Sequence, residues 1–137
     1  MTSIPTYLLD TNILLRFLRN DHPAYSGASR KLFEKANAGK LQLLIPFIAI
    51  VEAFHVLRTQ YKTDRTLAAR EMIKINNAAG VSLSAPAWIS DAIDEYSKSS
   101  ISFGDACIAA EARATKVTIA SFDTDFDNMG VKRHEPR

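Results

Sequence analysis

Short apolar runs alternate with longer amphipathic stretches along the whole chain. The short runs predict strands at Thr6 to Leu9, Leu41 to Ile45, Val81 to Leu83 and Val117 to Ala120, with Val131 to Arg133 as a candidate edge strand. The longer stretches predict helices at Ile13 to Arg19, Ala24 to Ala38, Phe47 to Gln60, Arg65 to Asn76, Pro86 to Lys98 and Phe103 to Thr115. Strands that alternate with helices in this way are typical of right-handed crossover units. The pattern therefore predicts an α/β class with a mostly parallel sheet of four or five strands.

Composition narrows the class of protein further. The 137 residues, 47% of them hydrophobic, suffice for one sizeable core, so we expect a single domain over residues 1–137. The formal net charge of +2 is too small for a general nucleic-acid coat, so any contact with a polyanion requires local clusters of basic residues. Cys107 is the only cysteine, which excludes an internal disulfide and a cysteine-cluster zinc site and suits a reducing compartment. Its expected role is that of a small buried hydrophobe.

The chain carries no sign of a leader or a membrane span. Met1 to Pro5 has no basic flank before an apolar run, unlike a secretory signal. The longest apolar stretch, Leu41 to Leu57, is interrupted by Gln42, Glu52 and His55, which is incompatible with a lipid-facing helix. We therefore expect a cytoplasmic protein.

Two acidic residues follow predicted strands directly. Asp10 comes after the first strand and Asp123 after the last clear one, and sites in parallel sheets form beyond the carboxyl ends of the strands. Each residue also has a purely structural interpretation. Asp10 suits the N-cap of a helix, and Asp123 and Asp125 suit Asx-turns in a loop.

Two further acids lie on predicted helices. Glu52 shares a helical stripe with Ile48, His55 and Val56, so we expect it to face the core, where a carboxylate requires a metal ion or a paired arginine such as Arg58. Asp105 follows Ser102 by three residues, a spacing that resembles a helix capping box.

Gathered in one cleft, Asp10, Glu52, Asp105 and Asp123 would repel one another unless cations or protons relieved the repulsion. Hard oxygen ligands without cysteine favour magnesium or manganese over zinc. Such ions promote phosphodiester hydrolysis by polarising a phosphoryl oxygen and lowering the pKa of a bound water. The pattern therefore indicates a phosphodiester hydrolase.

Four short motifs, in order along nearly the whole chain, resemble the acidic motifs of the PIN-domain nuclease family. They are Leu8-Leu9-Asp10-Thr11-Asn12, Val51-Glu52-Ala53, Phe103-Gly104-Asp105-Ala106 and Ser121-Phe122-Asp123-Thr124-Asp125. The size of the chain is similar to that of the VapC-type toxins of toxin–antitoxin pairs. The resemblance implies a three-layer α/β/α fold and a pocket in which Asp10, Glu52, Asp105 and Asp123 bind Mg²⁺ or Mn²⁺.

The same resemblance implies an endoribonuclease that cleaves RNA, forms a homodimer and is neutralised by an antitoxin protein. Asn12 and Ser121 match polar positions near the acids and would act by hydrogen bonding in the outer shell, whereas Asp125 falls at a less constrained position. His55 departs from the bulky apolar residue common at its position, and we interpret it as a partly buried structural histidine.

Basic residues near the first motif are candidates for contact with RNA phosphates. Arg16 and Arg19 follow Asp10 on the first helix and are the best placed, although a solvated helix face explains them equally well. A second basic cluster comprises Arg58, Lys62, Arg65 and Arg70.

Two other functions remain open. Asp123-Thr124-Asp125 after an apolar strand looks like the nucleophile motif of haloacid-dehalogenase-like phosphatases, although that motif opens such folds and here it lies near the end of the chain. A non-catalytic module, receiver-like or degenerate, would bind a cation or RNA without cleaving it. A receiver, however, requires an acid after the third strand, where Leu83-Ser84-Ala85 has none.

Overall fold

The structure is a computed structural model that describes residues 3–137. Met1 and Thr2, the first residues of the segment considered for a secretory signal, lie outside the described residues. Two compact units divide the chain, one ending at Ala85 and the other beginning at Pro86. Both units contain helices and strands.

The first unit is built on a three-stranded parallel sheet. Its strands are β1 (Thr6–Leu8), β2 (Gln42–Pro46) and β3 (Val81–Ser84), in the spatial order β1-β2-β3. Its helices are α1 (Thr11–Arg19), α2 (Tyr25–Asn37), α3 (Phe47–Thr59) and α4 (Arg65–Asn76). Both strand pairs are parallel, with Leu8 opposite Leu44 and Leu43 opposite Val81. Parallel neighbours require a crossover connection, and here two helices form each one.

The core of this unit forms around the central strand and α3. Leu43 and Ile45 of β2 are almost completely buried, as a strand covered on its faces requires. On α3 the buried residues recur at helical spacing and are Ala49, Ile50, Ala53, Phe54 and Leu57. The face that α3 presents to the core is therefore the one centred on these residues.

Gly80 allows the end of α2 to approach the start of β3. Its φ of +77° lies in the left-handed region, and a Cβ atom added there would collide with the backbone carbonyl of Ala36. Only glycine fits both requirements, so this residue determines how closely the two elements pack.

The second unit contains α5 (Ile89–Lys98), α6 (Phe103–Thr115), a short 3-10 helix (Thr124–Asn128) and the parallel strands β4 (Ile119–Ala120) and β5 (Arg133–His134). Arg113 of α6 joins three parts of it. Its guanidinium donates to Asp91 Oδ2 at 3.0 Å, to Glu95 Oε1 at 3.1 Å and to the carbonyl of Met129 at 2.6 Å. These bonds hold α5 and the segment after the 3-10 helix against α6.

The predicted α/β class is confirmed, and every strand pair among residues 3–137 is parallel. The five strands form one sheet of three and one of two. Most boundaries differ from prediction by one or a few residues, and two of them show that apolar character alone does not define an element. Val117 is exposed and precedes β4, and α5 begins at Ile89 rather than Pro86. The segment after Asp123, expected as a loop, is the 3-10 helix.

Cys107 is buried on α6, as expected for a small hydrophobe. Burial raises the pKa of its thiol to about 12, so the reactive thiolate is scarce at neutral pH. None of the helices formed by residues 3–137 combines the length and the apolar character needed to cross a bilayer.

Candidate metal centre

Asp10 occupies the N-cap of α1 without using its side chain as a cap. The backbone carbonyl of Asp10 accepts from the amides of Ile13 and Leu14, but its carboxylate makes no capping hydrogen bond. The residue is exposed. The structural interpretation of Asp10 as a simple N-cap therefore leaves the carboxylate unexplained, and it remains available to a ligand.

Glu52 lies on the solvent-facing side of α3, contrary to the expectation that it faces the core. It shares a stripe with Ile48 and His55, and all three are exposed. The prediction was wrong because α3 is apolar on most of its circumference, so apolar neighbours in the sequence did not identify the buried face. The argument from the cost of a buried carboxylate therefore does not apply to Glu52.

The hydrogen-bond partner of Glu52 is Thr11. The Thr11 hydroxyl donates to Glu52 Oε2 at 2.7 Å, and Thr11 is 9% exposed. The pair with Arg58, considered from the sequence as the alternative to a metal ion, is not formed among the described residues. Since Thr11 directly follows Asp10, this bond ties the residue after the first acid to the second acid, across 41 positions of sequence.

His55 is exposed, so its interpretation as a partly buried structural histidine was wrong. The same misassigned face of α3 is the cause. Its backbone carbonyl accepts from the hydroxyl of Thr59, which is a local helical bond.

Asp105 lies in the first turn of α6 in the second unit. Ser102 is the N-cap, and its hydroxyl accepts from the backbone amide of Asp105 at 3.1 Å. That bond is one half of the capping box anticipated from the spacing, and it uses the amide of Asp105, not the carboxylate. The half-buried carboxylate has no hydrogen bond or ion pair to any residue in the range 3–137 and is available to a cation.

Asp123 follows β4 and caps the 3-10 helix. Its Oδ1 accepts from the amide of Asp125 at 2.8 Å, and its own amide donates to the Ser121 hydroxyl at 2.9 Å. The Asx-turn considered from the sequence is therefore present, and it occupies only one carboxylate oxygen. Ser121 orients the backbone of Asp123, while Asp125 is exposed.

Arg16 and Arg19, the two candidate phosphate contacts, differ in their exposure and in how many hydrogen bonds they make within the protein. Arg19 donates to Glu71 at 3.2 Å and to the Thr63 hydroxyl at 3.1 Å, with its side chain 17% exposed. Arg16 pairs with Asp21 at 3.0 Å, and its side chain is 34% exposed.

Asp21, the partner of Arg16, also accepts a hydrogen bond from the hydroxyl of Tyr61 at 2.6 Å. The bonds from Tyr61 and then from Arg16 lower the pKa of the Asp21 carboxyl below its ordinary value. Asp21 thus remains ionised beside Arg16 at neutral pH. Arg16 is the more accessible of the two arginines.

The donors of the four acids fit a hard divalent cation. All are carboxylates, exposed or half-buried, and none is ion-paired within the described chain. Asp10 and Glu52 lie in the first unit, and Asp105 and Asp123 lie in the second. Within either unit, among residues 3–137, no three histidine, cysteine or acidic side chains lie together in an arrangement that could hold a metal ion.

Thr11 is a functional candidate that the sequence analysis did not select. Its signal was present, since a hydroxyl residue stands between Asp10 and Asn12 at the end of a strand. Its partner could not be inferred, because Glu52 is distant in sequence. Asn12, chosen instead, is exposed on α1.

Comparison with known proteins assigns a family. The family model described as "PIN domain" matches residues 7–132. A curated relative named VapC ribonuclease, from Aquifex aeolicus (strain VF5), is 27% identical over 130 residues, covering 94% of this chain and 96% of the relative. The range matched by the family model spans the positions of all four acidic motifs, and the family agrees with the parallel α/β architecture.

Proposed function

The chain belongs to the PIN domain family, and on that premise we propose that it is a metal-dependent endoribonuclease that hydrolyses RNA phosphodiesters. The observation that carries the proposal is that the carboxylates at the starts of α1 and α6 make no capping hydrogen bonds. Asp10 is the N-cap of α1, and Asp105 lies in the first turn of α6. Both carboxylates are therefore free to bind a ligand.

Asp10, Glu52, Asp105 and Asp123 would together hold Mg²⁺ or Mn²⁺. When bound, the ion would polarise a phosphoryl oxygen and lower the pKa of a bound water. The protein side chains hold the acids in position for this. Thr11 fixes one oxygen of Glu52 and leaves the other free, and Ser121 orients Asp123.

We assign outer-shell roles to Asn12 and Ser121, and only an auxiliary one to Asp125, which is exposed and one turn removed from the strand end. Arg16 is the favoured phosphate contact because its guanidinium is more exposed than that of Arg19, whose donors already serve Glu71 and Thr63. A phosphate that approached Arg16 would compete with Asp21.

Both units are proposed to form one nuclease domain over residues 1–137. The family match supports this, because it runs from residue 7 to residue 132 and so crosses the boundary at Ala85. Since each unit contributes two of the four acids, neither unit alone would have the complete site.

The biological setting follows from the relative named VapC ribonuclease. By analogy we propose that this chain is a cytoplasmic toxin, that RNA is its substrate, that a cognate antitoxin neutralises it and that it acts as a homodimer. The phosphatase alternative on Asp123 gains no support from the family match, and Asp123 Oδ1 is engaged by the Asp125 amide.

RNA cleavage tests the proposed function directly. Wild-type protein is incubated with a labelled single-stranded RNA and either Mg²⁺, Mn²⁺ or EDTA, beside Asp10→Asn and Glu52→Gln. We expect cleavage only with a divalent ion, and a loss of at least about a hundredfold in both variants, since removing a ligand carboxylate removes charge that the ion requires.

Glu34→Gln is the matched control, because Glu34 is an exposed helical glutamate in the same unit as Glu52. It should cleave at the wild-type rate. Equal activity of wild type, Asp10→Asn and Glu52→Gln would reject the proposed function, and trapping of an aspartyl phosphate on Asp123 would favour the phosphatase instead.

A further inference from the structure

A pocket of about 390 Å³ lies between α1 and α2, within the first unit. Its volume falls in the range of small-ligand sites. Ile13 and Leu32 contribute apolar lining, and Asn12, Arg16, Tyr25 and Ser29 contribute polar or aromatic groups. The accessible lining is mostly apolar with a few polar groups, which suits a flat aromatic ring with a polar edge.

Ser29 lies in the wall of the pocket with a hydroxyl that is buried and unpaired, so a ligand reaches it only after the side chain rotates toward the pocket. The residue is 2% exposed, and its hydroxyl has no hydrogen-bond partner in the described part of the chain. A buried polar group without a partner is costly and usually indicates a missing ligand or water. Asn12, on the facing helix, offers an amide that can both donate and accept.

Tyr25 adds an aromatic surface at the same pocket. Its side chain is 64% exposed. Its ring is stacked on that of His22, with the ring centroids 4.2 Å apart and the ring planes 11° from parallel. The imidazole Nδ1 of His22 also accepts from the Tyr25 amide at 3.0 Å, which fixes the pair. One ring of the stack is thus held from behind while much of the tyrosine remains open to solvent.

The pocket begins next to the candidate metal centre. Asn12 is two positions after Asp10 on α1, and Arg16 lies about one helical turn farther along. We propose that the pocket is a nucleobase subsite, which binds one unpaired base of an RNA strand that passes the acids. Tyr25 would stack on the base, Asn12 and Ser29 would bond its polar edge, and Arg16 would contact an adjoining phosphate. This inference rests on the proposed function for the identity of the strand.

Stacking and edge bonding are how unpaired bases are bound in proteins, and the tyrosine contact is tolerant of base identity. The hydroxyl and the amide would add a preference among bases. The subsite thus supplies affinity and modest sequence selection that the acidic centre, which repels phosphates, does not supply by itself.

Binding of defined oligonucleotides tests the subsite. Fluorescence anisotropy in EDTA, in a Glu52→Gln background that prevents cleavage, compares oligoadenylate, oligouridylate and oligocytidylate with an abasic ribose-phosphate strand of equal length. Tyr25→Ala should weaken binding of the best base-containing strand roughly tenfold, the effect of losing one stacked base, and leave the abasic strand unchanged.

Two companion variants separate binding from folding. Ser29→Ala should weaken the preferred strand several-fold without lowering the melting temperature, since the hydroxyl has no internal partner to lose. Ile73→Ala removes an exposed apolar side chain from α4 and should bind every strand as the background does.

An equal loss for base-containing and abasic strands would overturn the subsite, because the surface would then sense only phosphate. No loss in Tyr25→Ala would also overturn it, as would a changed oligomeric state with unchanged binding, which would mean that a second copy covers the pocket. If the wild type cleaves RNA but Tyr25→Ala does not selectively weaken binding of base-containing strands, the subsite alone is rejected. If Tyr25→Ala does weaken their binding selectively but the wild type cleaves no RNA, the proposed ribonuclease is rejected and the base site is retained.

Discussion

Thr11 is a small residue whose importance depends on one contact. Its hydroxyl donates to Glu52 at 2.7 Å and so links the start of α1 to α3. A hydrogen bond to a carboxylate restricts the rotamers of that side chain and is stronger than a bond between neutral groups. Thr11 is therefore a positioning residue for Glu52, acting through it and not on the substrate.

Replacement of Thr11 should separate positioning from packing. Thr11→Val keeps the shape and removes the hydroxyl, so we expect metal affinity and cleavage to fall about tenfold, the lower end of outer-shell effects. Thr11→Ser keeps the hydroxyl and should restore most of the loss. Metal titration followed by calorimetry, together with the cleavage rate, measures both. Wild-type affinity in Thr11→Val would show that Glu52 needs no such support.

Asp10 and Asp105 show how far single residues could be interpreted from the sequence. Their positions at helix starts were predictable from local capping patterns, and Ser102 does cap α6. Whether the carboxylates themselves made the caps could not be predicted, because a cap and a ligand have the same sequence signature. The hydrogen bonds of the folded chain distinguish them.

At the scale of elements, α2 and β3 meet at Gly80. The backbone there has the same φ as Gly39, +77°, but only Gly80 has Ala36 against the position of a Cβ atom. The two glycines therefore share the conformational requirement and differ in the steric one. This difference makes them a natural matched pair.

Urea unfolding of Gly80→Ala and Gly39→Ala should resolve the two effects. Gly39→Ala should lower the free energy of unfolding by about 1 kcal/mol, the cost of a side chain in the left-handed region. Gly80→Ala should lower it by about 2 to 4 kcal/mol, because overlap with Ala36 adds to that cost. Equal losses would mean that α2 can move away from β3 without penalty.

Most helices and strands followed from apolar periodicity, and their bounds differ by a few residues from those observed. The orientation of α3 did not follow. A helix with apolar residues on most of its surface has no clear preferred face, so the sequence wrongly predicted that Glu52 was buried. In the structure the buried side chains of α3 include Ala53, Phe54 and Leu57. Packing against the central strand determines which face of α3 is buried.

At the scale of the whole molecule, metal binding by the four acids, as proposed, should couple to the stability of the protein. Mn²⁺ at about a hundred times its dissociation constant adds about 2.7 kcal/mol to the folded state. We expect a clear rise in melting temperature for the wild type, and none for Glu52→Gln or Asp123→Asn. Without metal, Asp123→Asn should melt close to the wild type because Asn keeps an oxygen for the Asp125 amide, and Glu52→Gln should melt slightly lower because the bond from Thr11 is weakened.

The controls are exposed acids outside the proposed centre, Glu34→Gln in the first unit and Asp94→Asn in the second. Asp94 pairs with Lys98 on the surface, where an ion pair adds little stability. Both should keep the full rise. A rise that survives Asp123→Asn and disappears in Glu52→Gln would confine the metal to the acids of the first unit and contradict a centre shared by both.

The sequence alone determined the α/β class, the positions of most elements, the buried role of Cys107 and the order of the four acidic motifs. These are local properties or properties of order along the chain, so periodicity, capping residues and spacing reveal them. The tertiary structure decided which face of α3 is buried, that Thr11 and not Arg58 is the partner of Glu52, and that the carboxylates of Asp10 and Asp105 are left without structural bonds. Those features depend on contacts between residues distant in sequence, whose choice rests on packing and hydrogen-bond geometry that no local pattern encodes.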